Sequence, residues 1–176
     1  MGKLILVRHS APEIDLARPA YQWTLSAEGR ARCIPLADAL RPHQPNRILS
    51  STEPKAQETA AHVADHLRLP WTTADGLHEH ERPNIPFVTP DAFRASVASF
   101  FHHPDELVFG AETAAQAYAR FALALQNALA LHPTQTTLVV THGTVMSLYL
   151  AHRTGEDAFK IWQTLKMPDF VVFNSP

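Results

Sequence analysis

Two textures of apolar and polar positions alternate along this chain. Short unbroken apolar or β-branched runs are separated by longer stretches in which apolar residues recur every three or four places. Leu4-Ile5-Leu6-Val7 is such a run and stops at Arg8, which suits a strand buried on both faces of a parallel sheet. Arg47-Ile48-Leu49-Ser50, Trp71-Thr72-Thr73, Thr136 to Val140 and Phe170-Val171-Val172-Phe173 read as the other strands. Between them, Ser26 caps a predicted helix running to about Leu40, with Ile34, Leu36, Ala37 and Leu40 on its apolar side. Pro42 and Pro45 close it. A second helix is predicted from about Glu53, with Pro54 in its first turn, through Ala60, Val63 and Leu67. An Ala-rich helix from about Glu112 to Leu131 carries the stripe Tyr118, Phe121, Leu125 and Leu129, and Thr144 to His152 reads as another. The alternation predicts an α/β fold with a mostly parallel sheet.

Between Gly76 and Gly110 the texture changes. Pro83, Pro86, Pro90 and Pro104 leave room for one short helix near Asp91 to Phe100. This stretch is too short for a core of its own, so it reads as a cap inserted at about 80–110 into a single domain spanning 1–176.

Composition narrows the function classes. Fifteen Lys and Arg against 17 Asp and Glu give a formal charge of −2 with no basic patch, which argues against a nucleic-acid partner. With 45% hydrophobic and 18% charged residues the chain is not of the disordered class. No stretch approaches the roughly 20 apolar residues of a membrane span. The apolar run near Met1 is too short for a secretory leader, so a cytoplasmic protein is expected. Cys33, the only cysteine, allows no intrachain disulfide and is expected in the core. The unusual count is 11 histidines.

In open α/β sheets ligands bind beyond the carboxyl ends of the strands, so the residues that follow each predicted strand are the natural place to look for a site. They are Arg8-His9-Ser10, Ser50-Ser51-Thr52 leading to Lys55, Leu77-His78-Glu79-His80-Glu81, and Thr141-His142-Gly143. Arg presents a planar fork to phosphate oxygens and Lys a point charge. Helix starts near Thr52 and Gly143 can aim N–H groups at an anion. One neutral imidazole can attack phosphorus while a second holds the oxygens. A carboxyl group near a bound dianion is expected to have a raised pKa and to protonate a leaving oxygen. The set reads as phosphoryl transfer through histidine, with no metal and no cofactor. His78, Glu79, His80 and Glu81 also raise a metal site, but a stable one needs three or four converging ligands, so His78 and His80 read as rim residues. His43, His62, His66, His102, His103, His132 and His152 read as surface groups.

Leu6-Val7-Arg8-His9-Ser10 resembles the Arg-His-Gly signature of the histidine phosphatase, or phosphoglycerate mutase-like, superfamily. Leu25-Ser26-Ala27-Glu28-Gly29-Arg30 is similar to its Leu-Ser/Thr-x-x-Gly segment. The stretch from Ser50 to Ala60 is similar to its Ser-Ser-Pro-Leu-x-Arg-Ala-x-x-Thr-Ala segment. Leu77-His78-Glu79 falls where the family has Leu-x-Glu. Gly110-Ala111-Glu112-Thr113, with Arg120 after it, resembles its Gly-Glu-Ser/Thr segment. Val139-Val140-Thr141-His142-Gly143 resembles its Val-Ser/Thr-His-Gly ending. The order of these segments along nearly the whole chain is what makes the resemblance specific.

The resemblance implies a three-layer α/β/α fold and a phosphatase acting on a phosphomonoester or phosphoamide. His9 is then the nucleophile, Glu79 rather than Glu81 the proton donor, and His142 the second phosphate-pocket histidine. Arg8, Lys55, Ser10 and Gly143 line the phosphate site, Lys55 standing where the family has arginine and Ser10 where it has glycine. The short cap favours hydrolysis over mutase-type transfer, and a non-catalytic phospho-ligand binder is the reading of another class. The expected partner is a small phosphorylated metabolite or a phosphoprotein, and Arg82, Asn84, Phe87, Arg94, Phe100 and Phe101 are the expected selectivity residues. Glu112 is expected to favour the start of its helix by charge.

Overall fold

A computed structural model describes residues 2–83 and 89–174, so Asn84 and Phe87 lie outside the described residues. All five predicted strands form: β1 (Lys3–Arg8), β2 (Arg47–Ser50), β3 (Trp71–Thr73), β4 (Thr137–Thr141) and β5 (Asp169–Asn174). They make one sheet in the order β3-β2-β4-β1-β5. β1 to β4 run parallel, and β5 closes the β1 edge antiparallel, pairing Leu6 with Val171. Residues on one strand point alternately to opposite faces, so an all-apolar strand feeds two cores at once. Leu4 and Leu6 join Leu49, Val139, Phe121 and Met146 on one face, whereas Ile5 and Val7 join Ile48, Val140, Leu36 and Val63 on the other. Helices cover both faces, and the result is a three-layer α/β/α sandwich.

The second face is covered by α1 (Ala27–Leu40) and α2 (Pro54–Leu67). Ser26 caps α1 by accepting the Gly29 N–H at 3.0 Å. Gly29 is obligatory here, because a Cβ on it would lie 2.0 Å from the Ala11 carbonyl oxygen. α1 runs through Pro35, whose missing N–H falls on the exposed side, as does Ala31. The predicted stripe on α1 is rotated: Cys33, Leu36, Ala37 and Leu40 are buried, but Ile34 is 54% exposed. Pro35 and the scattered alanines at 31, 37 and 39 blur the period there, so Ile34 could be counted on either side.

The first face is covered by α3 (Pro90–His102), α4 (Ala114–Ala130) and α5 (Gly143–Thr154). α4 begins two residues after Glu112, behind a capping box of Thr113 and Gln116, so Glu112 is not part of its first turn. A short helix, α6 (Ala158–Thr164), has no counterpart in the sequence reading. Its length leaves no helical period to detect. Its signals are local: Asp157 accepts the Lys160 N–H, and Phe159 and Trp162, three apart, stack at 6.0 Å. Through Phe159 and Trp162 it meets Phe101 and Phe93 of α3, fixing the cap helix to the body.

Candidate active site

Three parallel strands release their chains at one level. The His9 N–H donates to the Thr141 carbonyl and the Ser51 N–H to the Val140 carbonyl, both at 2.9 Å. His9, Ser51 and His142 are thereby placed side by side on the carboxyl rim of the sheet. His9 Nδ1 lies 2.7 Å from the Ser10 carbonyl oxygen. A carbonyl can only accept, so Nδ1 carries the hydrogen and Nε2 keeps a free lone pair. Burial, reinforced by His142 and Lys55, pushes the His9 pKa well below its ordinary value despite the opposing Ser10 carbonyl. The His142 ring stands 5.1 Å away, tilted by 59°.

His142 Nε2 is 2.7 Å from Ser51 Oγ and 3.6 Å from a Glu53 carboxylate oxygen. Its Nδ1 is buried and has no partner. Burial and then Lys55 hold its pKa well down, with Glu79 opposing. Arg8 anchors Nη1 on the Leu165 carbonyl at 2.6 Å, and its Nε too is buried without a partner. Two unpaired polar atoms at one rim suit phosphate oxygens. Gly143 permits this arrangement, for a Cβ there would stand 3.0 Å from Arg8 Cζ and Nε.

Glu79 faces the start of α5. One carboxylate oxygen accepts the Val145 N–H at 3.2 Å and the His80 N–H at 2.9 Å, and the other accepts the Thr144 N–H at 3.1 Å. One prediction is corrected here. The N–H groups at the start of α5 are taken by Glu79 and are not all free for an anion. By itself the protein holds the Glu79 pKa below its ordinary value: burial pushes it up, but Arg82, His142 and the His80 and Thr144 N–H groups outweigh burial. Glu81, the rival carboxylate, is turned outward to His78 at 3.1 Å.

The other predicted pocket residues are engaged in unforeseen ways. Lys55 Nζ donates to Glu53 at 2.5 Å and to the Ala20 carbonyl at 2.7 Å, so its charge is already paired. The Ser10 hydroxyl is turned away from the rim and donates to the Gly29 carbonyl at 2.7 Å, tying the turn after His9 to α1. His80 is not a rim residue. It is 2% exposed, with its ring 4.1 Å from Phe100 and 4.8 Å from Phe109. Among the described residues no group of three His, Cys, Asp or Glu side chains converges as a metal site.

Sequence reasoning missed the clamp that holds the Glu79 loop. Arg120 donates to the Gly76, His78 and Glu79 carbonyls at 2.9, 3.0 and 3.2 Å, and to both oxygens of Glu112 at 2.6 and 3.1 Å. Glu112 also accepts the Glu81 N–H at 3.0 Å. The pair at 112 and 120 was legible as a motif, but its task was not. A cleft of about 380 Å³ opens beside Glu79, lined by Tyr21, Gln22, Glu53, Lys55 and Arg82 among others.

The family model of the histidine phosphatase superfamily (branch 1) matches residues 4–169. The chain belongs to the histidine phosphatase superfamily. No curated protein matches it by sequence. Solved histidine phosphatase folds superpose on it closely. A phosphoserine phosphatase of Entamoeba histolytica, in complex with 3-phosphoglyceric acid, gives a TM-score of 0.80 at 19% identity, covering 99% of this chain and 91% of the other. A mycobacterial glucosyl-3-phosphoglycerate phosphatase gives 0.77 at 18%, covering 97% and 89%. Bacillus stearothermophilus YhfR gives 0.74 at 24%, covering 92% and 84%. At such identities the likeness is one of fold.

Proposed function

We propose that this protein hydrolyses the phosphoester, or phosphoamide, of a small phosphorylated metabolite through a phosphohistidine on His9. The observation that carries the reading is the state of His9: Nδ1 is committed to the Ser10 carbonyl, which leaves the Nε2 lone pair of a neutral ring at the rim. That lone pair attacks phosphorus and forms a P–N bond as the P–O bond to the leaving group breaks. Arg8 Nε and His142 Nδ1 hold the non-bridging oxygens, where charge builds in transfer. Glu79 gives its proton to the leaving oxygen.

Glu79 is ionised before substrate arrives, so the dianion itself supplies the change. Placing two negative charges within a few ångströms raises the carboxyl pKa and recruits the proton that is later donated. In the second half-reaction Glu79 takes a proton from water, whose oxygen attacks phosphorus as the P–N bond breaks and His9 recovers its lone pair. Both steps run through side chains of this chain, and no metal or cofactor is assigned a role. Hydrolysis is preferred to mutase transfer because the described residues of the cap contribute one helix, α3, engaged with α6, and no large enclosing lid. A small metabolite is preferred to a phosphoprotein because the cleft is of metabolite size.

The test is hydrolysis of an aryl phosphate such as p-nitrophenyl phosphate. Wild-type turnover is expected to persist in excess chelator and to vanish in His9→Ala. A rapid acid-labile, base-stable label on the wild type identifies the phosphohistidine. Undiminished turnover by His9→Ala refutes the proposal, and binding of phosphate with neither turnover nor label favours the pure binder.

A further inference from the structure

A carboxylate that the phosphatase reading does not use sits at the centre of the site. Glu53 is only 7% exposed and sits at the N-cap of α2, yet no side-chain cap bond holds it there. Its side chain points into the site instead. One oxygen accepts from Lys55 Nζ at 2.5 Å; the other accepts the Glu79 N–H at 2.8 Å and lies 3.6 Å from His142 Nε2. One carboxylate therefore touches the phosphate-pocket lysine, the backbone of the proton donor and the second histidine. In the family segment quoted above, leucine stands at this place and arginine at that of Lys55, so the acid and the shorter cation occur together.

We propose that Glu53 is the positioning residue of this site, setting the charge of Lys55 and His142 and fixing the Glu79 loop; the inference rests on the phosphatase reading. Its effect on each neighbour follows from electrostatics. Paired with Glu53, Lys55 offers the incoming dianion little net charge, so ground-state phosphate binding is held weak. When phosphoryl oxygens engage His142 Nδ1, the carboxylate beyond Nε2 stabilises a doubly protonated ring. The imidazolium is thus favoured when charge builds up at phosphorus. The N–H bond from Glu79 keeps that loop in register with α2.

Removing the charge while keeping the shape isolates the effect, and Glu53→Gln does so because the amide oxygen can still accept the Glu79 N–H. Lys55 from α2, His142 from the end of β4, His9 and Arg8 from the end of β1, and His78, Glu79 and Arg82 from the loop after β3 all act on this site. Losing one negative charge among them lowers every carboxyl and imidazole pKa, so the whole activity profile moves to lower pH. Inorganic phosphate, meeting an unpaired Lys55, binds more tightly. The expected signature is kcat on p-nitrophenyl phosphate down about tenfold at neutral pH, KM and the phosphate Kd down several-fold, and the bell displaced to acid. Glu53→Asp keeps the charge and is expected to retain the wild-type profile.

A residue that merely props up the fold would instead weaken phosphate binding and leave the pH profile in place. Phosphate titration by calorimetry and the His142 titration by ¹⁵N NMR in saturating phosphate need no turnover. They test Glu53 even if hydrolysis is absent, and the His9→Ala assay separately tests the reaction. In phosphate-saturated protein the His142 pKa is expected to fall in Glu53→Gln. An unchanged His142 titration together with unchanged or weaker phosphate binding overturns the proposal.

Discussion

Arg120→Met should be the most damaging single change outside the histidine pair, because it removes a cation that five acceptors share. Among the described residues Arg120 is the only side chain that bonds the Glu112 carboxylate, and it also ties down the Gly76, His78 and Glu79 carbonyls. Met has similar bulk, so little cavity forms and the loss is electrostatic. Glu112 is left as a side chain 9% exposed with no counter-ion. Breaking one side of such a buried pair costs about 3–5 kcal/mol. For a chain of this size, each kcal/mol lowers Tm by roughly 2–4 °C, so a fall of about 10 °C is expected by calorimetry. Activity should fall further than stability explains, since below the new Tm the Glu79 loop has lost its anchor.

The double variant Arg120→Met/Glu112→Leu separates the two effects. Without an orphaned charge it should recover most of the lost Tm, while kcat stays low because the carbonyls at 76, 78 and 79 remain unheld. A single variant within about 1 kcal/mol of wild type in urea denaturation would refute the clamp. So would a double variant whose kcat recovers along with its Tm.

Other consequences are open to simpler measurements. His9 and His142 both have pKa values held well below 6.5 in the folded protein, so below that pH the unfolded chain binds protons that the fold does not. Their contribution is full above pH 6.5 and is lost as pH falls. Each therefore takes up to about 2 kcal/mol between pH 6.5 and 5. The urea midpoint should drop over this range and drop less in His142→Asn; identical midpoints at pH 7 and 5 count against it. Gly143→Ala pushes a methyl against the Arg8 guanidinium, so phosphate affinity should weaken about tenfold or more with little change in far-ultraviolet circular dichroism, and wild-type affinity would show that the guanidinium is free to move.

Much of this fold was readable from local pattern. The five strands and the five longer helices each announce themselves in a few consecutive residues, through an unbroken apolar run, a cap or a helical stripe. His9 and His142 were found the same way, because in a parallel sheet the residues after the strands must meet at one rim. Helix α6 and the face of Ile34 were not, since seven residues carry too little period and alanines leave a stripe ambiguous.

The order of elements, the layered sandwich and the histidine rim follow from the amino-acid sequence, because backbone periodicity and strand-end placement are properties of neighbours in the chain. The electrostatic state of the site does not. Glu79 meets the start of α5 across 66 residues, and Glu112 reaches the loop that carries Glu79 across 31. Lys55 and Glu53 are near neighbours, but only burial turns two solvated charges into a fixed pair. A charge is set by the distance and dielectric around it, and both of those exist only once the chain has closed.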